Sequence, residues 1–439
     1  IPYITRTLGA ENLGKYNFAV SVVSYFTLIS SLGISTYAVK ACSCVKFDQR
    51  KLNRVASELF SINLCTMLIA YLMLFTALTV YPKLFAYKGL IGILSVNILL
   101  PVIGMDWINM AMEDFRYITI RTAAFQMMSL FLVLIFIKSS DDYLKYAIIT
   151  VCVGSGANIL NAFYIRKFCR ITFISAFNIK THIRPILLMF SLLIAQNILS
   201  NLDITMLGIL ATDKDVGLYS MSVKVYITIQ KVISSIAIVL LPQTSMLFKE
   251  ADFDNINKLL KKVWCFIYTF SIPFVTGLIF LSTEILGWIC GEEYTSASAS
   301  LSILAIAMFI NLSGASFWGN IILLPSNREG RFMLACVTSA LCNAVLNCYF
   351  IPICGISGAA VTTVISEAVI YVICRIKKDE RIQLHFTWTE LLGPFVGGIL
   401  IGLICCFIKS MISGYFLRIA FSIMCSAAIY VIVLTIFKN

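Results

Sequence analysis

The stretch 216–242, VGLYSMSVKVYITIQKVISSIAIVLLP, is apolar enough and long enough to cross a bilayer, yet it carries Lys224 and Lys231. An α-helix rises 1.5 Å per residue, so a helix of this length covers the roughly 30 Å of bilayer hydrocarbon. Counted from Gly217, Lys224 lies about 10 Å along it and Lys231 about 20 Å. Lys224 can reach the outer interface by extending its stem. Lys231 stands near mid-membrane, where insertion scales charge a lysine roughly 2.5–3.5 kcal/mol. Such a residue faces water, a counter-charge or an anionic ligand.

The rest of the chain is of the same kind. Of its 439 residues 59% are hydrophobic and 13% charged. Apolar runs near the length of a membrane span recur throughout. Thirteen helices are expected: 15–38, 55–81, 89–111, 117–137, 143–165, 185–211, 217–242, 259–282, 297–324, 330–350, 355–374, 388–408 and 414–437. IPYITRTLG at the start reads as the tail of a further span, so the intact protein is expected to have about fourteen. The fold class is an all-α polytopic membrane protein.

Charge gives the orientation, because loops rich in Lys and Arg stay on the cytoplasmic side. The cations concentrate in alternate loops, at 40–54, 116–121, 166–184, 249–262, 328–331 and 375–381, and at Lys438. The intervening loops hold Arg6, Lys15, Lys83, Lys88, Lys138, Lys145, Lys214, Lys409 and Arg418. Only Lys224 and Lys231 fit neither set. The C-terminus is thereby placed in the cytoplasm. The net charge of +12 is spread over short loops, which speaks for topology and against nucleic acid.

No loop is large enough to fold a catalytic domain, and the two histidines, His182 and His385, read as loop residues far apart. No Ser/His/Asp set, metal-ligand spacing or disulfide framework is present among them and the 15 cysteines. An enzyme, a metal site and a cofactor are not expected.

The two halves repeat. LGAENLGKYNFAVSVVS at 8–24 overlies ATDKDVGLYSMSVKVYI at 211–227 at a constant offset of 203. In the second copy Ser220, Lys224, Thr228, Lys231 and Ser235 share one helical face; in the first Asn17, Ser21, Ser24, Ser31 and Ser35 do. The preceding span adds Gln196, Asn197, Ser200, Asn201 and Asp203. The organisation expected is an N-terminal lobe over 1–170, a C-terminal lobe over 180–380 and an additional helix pair over 385–439.

Four segments carry a family resemblance: IPYITRTLGAENLGKYNFAVSVVSYF at the start, GMDWINMAMEDFRYITIR at 104–121, NLDITMLGILATDKDVGLYSMSVKV at 201–225 and NAVLNCYFIPICGISGAAVTTVISE at 343–367. The chain resembles the Wzx-type polysaccharide flippases of the multidrug, oligosaccharidyl-lipid and polysaccharide exporter superfamily. The resemblance implies two six-helix lobes around a central cavity. It implies an oligosaccharide repeat unit on undecaprenyl pyrophosphate as cargo, moved across the bacterial plasma membrane by alternating access, with a polysaccharide polymerase as partner. The rival within the superfamily is a multidrug or ion antiporter, for which central cations are ill suited.

Lys224 and Lys231 are then the residues expected to hold pyrophosphate, joined through the resemblance by Arg6 and Lys40. Arg6 and Lys40 are equally suited to anchoring helix ends at head-group level. Asp203, Glu367 and Asp106 are the acids that could bind a coupling proton or sodium ion, or balance the lysines. Lys231 with Asp203 is one such ion pair. For Asp106, close to Glu113, Asp114 and Arg116, a helix-end or salt-bridge role is preferred.

Overall fold

Each apolar run read from the sequence is helical, though 15–38, 89–111 and 143–165 each cross a break between two helices, because a backbone in hydrocarbon must satisfy its own N–H and C=O groups. The computed structural model describes residues 1–172, 179–376, 380–384 and 388–437. Lys377, Lys378, His385 and Lys438, which carry part of the charge bias, one of the two histidines and the placing of the C-terminus, lie outside the described residues. So does the side chain of Gln196. No strand occurs among the described residues.

In chain order the helices are α1 (Pro2–Ser31), α2 (Ile34–Ser43), α3 (Gln49–Val80), α4 (Pro82–Ala86), α5 (Lys88–Gly104), α6 (Asp106–Ala111), α7 (Phe115–Phe136), α8 (Tyr143–Gly154), α9 (Ala157–Tyr164) and α10 (Ile179–Leu210). There follow α11 (Asp213–Glu250), α12 (Phe253–Ile289), α13 (Ser298–Asn311) with its π-helical continuation Leu312–Leu323, α14 (Glu329–Arg375), α15 (Trp388–Met411) and α16 (Tyr415–Ile436). This is a multi-pass membrane protein.

Among the described residues eleven helical stretches are long and apolar enough to span, fewer than expected for two local reasons. The expected spans 330–350 and 355–374 both lie in α14, which breaks at Gly355 (φ 54°, ψ −132°). A residue with a Cβ is strained there, and Pro352 just before it supplies no N–H to the helix. The expected span 185–211 lies in α10, of which Asn197–Leu210 is the apolar helical stretch found among the described residues.

The repeat shows in the backbone. α1 is interrupted at Gly9 (φ 72°, ψ 172°). At the offset of 203 the matching residue is Thr212, the N-cap of α11. Both copies therefore enter their span directly after a break in the helix.

The chain forms two compact units, Thr7–Thr205 and Ile1–Arg6 with Met206–Asn439. In the first, Ile34, Ala38 and Cys42 of α2 pack with Leu52, Ala56 and Leu59 of α3 and with Trp107 and Ile108 of α6. Lipid tails are as apolar as leucine, so polar and small residues do much of the gluing between helices. Asn109 Nδ2 donates to Asn161 Oδ1 and Asn161 Nδ2 to the Gly104 carbonyl, each at 2.6 Å. Both asparagines are fully buried.

In the second unit α15 lies close to its neighbours because Gly397 and Gly402 lack side chains. A Cβ would come within 2.5 Å of the Tyr430 ring at the first and 2.8 Å of the Phe280 ring at the second. Tyr430 Oη donates to the Thr269 carbonyl at 2.6 Å. Buried Glu284 of α12 forms an ion pair with Lys409 at 2.9 Å and accepts from Arg418 at 3.3 Å, which clasps the α15–α16 turn to α12.

Candidate functional site

α11 positions the lysines, and its start is fixed by a capping box. Thr212 Oγ1 accepts from the Asp215 N–H at 3.2 Å while Asp215 Oδ2 accepts from the Thr212 N–H at 3.2 Å. Asp213 and Asp215 in the first turn complement the helix dipole.

The polar stripe on this helix divides into two parts. Ser220 is buried, with its hydroxyl donating to the Gly217 carbonyl at 3.0 Å. Lys224, Thr228, Lys231 and Ser235 are exposed. Thr228 Oγ1 donates to the Lys224 carbonyl at 2.6 Å and Ser235 Oγ to the Val232 carbonyl at 2.7 Å. The hydroxyls are satisfied within the helix, so the ammonium groups are what this face offers to a ligand. Lys231 Nζ has no hydrogen bond or ion pair among the described residues.

Arg6 and Lys224 are brought together in the second unit. The thiol of Cys290, just past the end of α12, feels the charge of both. Arg6 Nη2 donates to the Trp288 carbonyl at 2.6 Å, as a cation at a helix C-terminus does. The helix-end role weighed for Arg6 thus has a definite partner. Lys40 belongs to the first unit, exposed in the last turn of α2.

The acids have separate surroundings. Asp203 is buried in α10, near enough to Tyr25 on α1 for its charge to act on the phenol. Two residues on, Thr205 Oγ1 lies 3.0 Å from Ser21 Oγ and 3.2 Å from Tyr25 Oη. Part of the stripe on α1 is therefore used for hydrogen bonding to α10. Another part, Ser24 and Ser31, joins Thr27, Asn97 and Asn197 around a cavity of about 410 Å³ within the first unit. Glu367 is half-buried on α14. Asp106 accepts two hydrogen bonds from Arg121 Nη2, at 2.7 and 2.8 Å. Arg121, read from the sequence as a loop cation, is instead on α7 and buried.

One cluster escaped the sequence reading. His182 is no loop residue: it lies on α10, one turn before Pro185, and is buried. A proline marks a first helical turn so often that a span opening at 185 looks natural, but α10 begins at Ile179. His182 Nδ1 lies 2.9 Å from Tyr37 Oη, and Nε2 lies 3.0 Å from Glu58 Oε2. Arg54 Nε donates to Glu58 Oε1 at 3.1 Å. The available signal was Glu58 itself, a carboxylate that an apolar run keeps only with partners.

At the expected cytoplasmic end of this unit Asp114 accepts from Lys167 at 2.9 Å and from Tyr164 at 2.7 Å. These bonds, that from Lys167 first, hold its carboxyl below the ordinary aspartate range.

A family model described as "Polysaccharide biosynthesis protein" matches residues 1–248. The chain belongs to the polysaccharide biosynthesis protein family. Among curated relatives, the capsular polysaccharide biosynthesis protein CapF of Staphylococcus aureus is 24% identical over 83% of this chain and 90% of its own. The probable low-salt glycan biosynthesis flippase Agl15 of Haloferax volcanii is 27% identical over 43% of this chain, a match that takes in 40% of Agl15.

The family fold is also that of solved transporters. The lipid II flippase MurJ in an inward closed conformation matches with a TM-score of 0.73 at 14% identity, covering 98% of this chain and 96% of MurJ. A multidrug resistance MATE family transporter of the MOP superfamily, inward-facing, matches with a TM-score of 0.63 at 12% identity over 89% and 94% of the two chains. At these identities the likeness is one of fold.

Proposed function

We propose that this protein is a flippase for an oligosaccharide repeat unit linked to undecaprenyl pyrophosphate, carrying it from the inner to the outer leaflet of the bacterial plasma membrane by alternating access. The observation that carries the reading is the exposed cationic face of α11, with Lys231 unpartnered among the described residues in the middle of an apolar helix. A lysine is retained in such a place for an anion.

The physics suits the cargo. A polyprenyl chain is at home in hydrocarbon, whereas a glycan pyrophosphate loses its hydration there and needs charged and hydrogen-bonding groups in exchange. Lys224 and Lys231, two helical turns apart, offer charge-assisted hydrogen bonds to phosphoryl oxygens at two depths. Arg6, beside Lys224, adds a third cation. Asp203 and Glu367 are the acids left for a coupling proton or sodium ion, and Lys40 is assigned to the cytoplasmic entry side, in keeping with a cytoplasmic C-terminus. The same cationic face disfavours a multidrug antiporter, whose cationic cargo it would repel. The role is transport, not catalysis, and a polysaccharide polymerase is the protein partner such a cargo calls for.

The test is complementation of a strain that lacks its polysaccharide flippase, with analysis of the surface glycan. Restored glycan supports the proposal. Normal membrane levels of the protein without any surface glycan, in strains supplying different repeat units, overturn it.

A further inference from the structure

The first unit carries a polar stripe without charge. At the offset of 203, Lys224 and Lys231 of α11 fall on Ser21 and Leu28 of α1, so the repeat keeps these cations in one copy only. Ser24, Thr27 and Ser31 of α1 nevertheless border the cavity of about 410 Å³, with Asn97 of α5 and Asn197 of α10. None of its described lining residues is charged. The volume is that of a site for a small ligand or one ring of a larger one.

The polar groups are oriented by bonds that use part of their capacity. Ser24 Oγ donates to the Ser21 carbonyl at 2.7 Å, Thr27 Oγ1 to the Val23 carbonyl at 3.0 Å and Ser31 Oγ to the Leu28 carbonyl at 3.0 Å. Each hydroxyl has thereby given its proton to the helix and keeps an oxygen that accepts. The amides are left the other way round. Asn97 Oδ1 accepts from Ser155 Oγ at 2.5 Å and Asn197 Oδ1 lies 3.5 Å from Ser24 Oγ, whereas neither Nδ2 has a partner among the described residues. The cavity thus combines acceptors on α1 with amide donors on α5 and α10.

This pattern selects by chemistry. An ion entering the cavity would give up its hydration with no opposite charge in return. An acyl chain would leave both amide groups without partners, which costs free energy for each. A neutral ligand dense in hydroxyl groups meets both demands, since a hydroxyl donates and accepts at once. The apolar parts of the lining, Val23, Leu28 and Leu94, suit the C–H faces of a sugar ring.

We infer that this cavity binds a sugar ring of the glycan, so that α1, α5 and α10 recognise sugar hydroxyls while the lysines of α11 recognise charge. The inference rests on the flippase reading and adds to it the residues that tell one glycan from another, because a donor or acceptor left unmatched by the wrong sugar is penalised.

The full chain in phosphatidylcholine nanodiscs is examined by native mass spectrometry for retention of undecaprenyl pyrophosphate, either bare or bearing a single neutral hexose or N-acetylhexosamine. Wild type is compared with Asn197→Leu, Asn97→Leu and Ser31→Ala, and with Lys231→Gln. Wild type should retain at least one sugar-bearing lipid more strongly than the bare one. Each change in the cavity should weaken that advantage about three- to tenfold, the worth of a neutral hydrogen bond, and leave retention of the bare lipid as it was. A role in packing alone would weaken both lipids together. Asn197→Gln, which keeps the amide, should recover part of the advantage, and Lys231→Gln should weaken both lipids alike. If wild type prefers no sugar-bearing lipid, or the cavity variants keep the preference or weaken both lipids equally, the inference is overturned; the flippase reading then stands on retention of the bare lipid and its loss in Lys231→Gln. No retention of any of these lipids by wild type overturns that reading and the inference with it.

Discussion

His182 Nε2 lies 3.0 Å from Glu58 Oε2, with both side chains more than nine-tenths buried. An ionised carboxylate only accepts, so Nε2 is the donor to Glu58, while Nδ1 lies 2.9 Å from Tyr37 Oη. Three helices of the first unit, α2, α3 and α10, are joined by this chain of hydrogen bonds. Replacing His182 by Ala leaves Glu58 with Arg54 as its remaining charged partner and should cost about 1–3 kcal/mol. A lower unfolding temperature of the purified protein, partly restored by adding Glu58→Gln, is the expected result. An unchanged unfolding temperature in His182→Ala would remove the cluster from the structural account.

The Asp106–Arg121 pair separates charge balance from ion coupling. Arg121 is buried in α7 and takes both carboxylate oxygens of Asp106. Asp106→Asn strands a buried cation, and the loss should reach about 3 kcal/mol, as for other broken buried pairs. Asp106→Asn with Arg121→Gln should return protein level and transport together. If the double variant regained its level but not transport, Asp106 would have a coupling role beyond the pair.

The topology is testable at the end of α9. Arg166 and Arg170 are exposed, and neighbouring Lys167 is engaged by Asp114. In a cysteine-free background, cysteines placed at Arg166 and Arg170 should resist an impermeant maleimide in intact cells and react once the membrane is opened. Transport should survive both changes. Labelling in intact cells would reverse the assigned orientation.

How much of this was legible in the sequence depends on which physical constraint was at work. The helices were, because a bilayer demands apolar runs of a set length whatever the neighbours. The matching breaks at Gly9 and Thr212 were foreshadowed by the repeat at an offset of 203. The turn inside α14 was read as a loop between two spans, at the place where Pro352 and Gly355 stand. The pairings were not legible. Ser21 with Thr205, Glu58 with His182 and Glu284 with Lys409 each join residues distant in sequence. Choosing among such partners requires the rotation of each helix about its axis. Helices apolar on nearly every side do not reveal that rotation, since lipid and protein neighbours ask for the same side chains. For Lys231 the sequence pointed only to an exposed position, since a charge in an apolar run has few solutions, and it is exposed on α11.

For that reason Lys224 and Lys231 give the sharpest test of transport. If they hold a pyrophosphate, Gln in place of either keeps a polar side chain and removes the charge. A hydrogen bond to a charged group is worth about 1.5–3 kcal/mol, so transport should fall by about 10- to 100-fold at unchanged protein level. Arg should rescue in part, since the charge persists while the planar fork meets phosphate in another geometry. A lysine that only balanced a carboxylate behaves differently: Lys231→Gln would lower protein level, and adding Asp203→Asn would restore both level and activity. Measuring surface glycan and membrane protein level side by side in the single and double variants distinguishes the two. Full transport in both Lys224→Gln and Lys231→Gln would leave the cationic face of α11 without the role proposed for it.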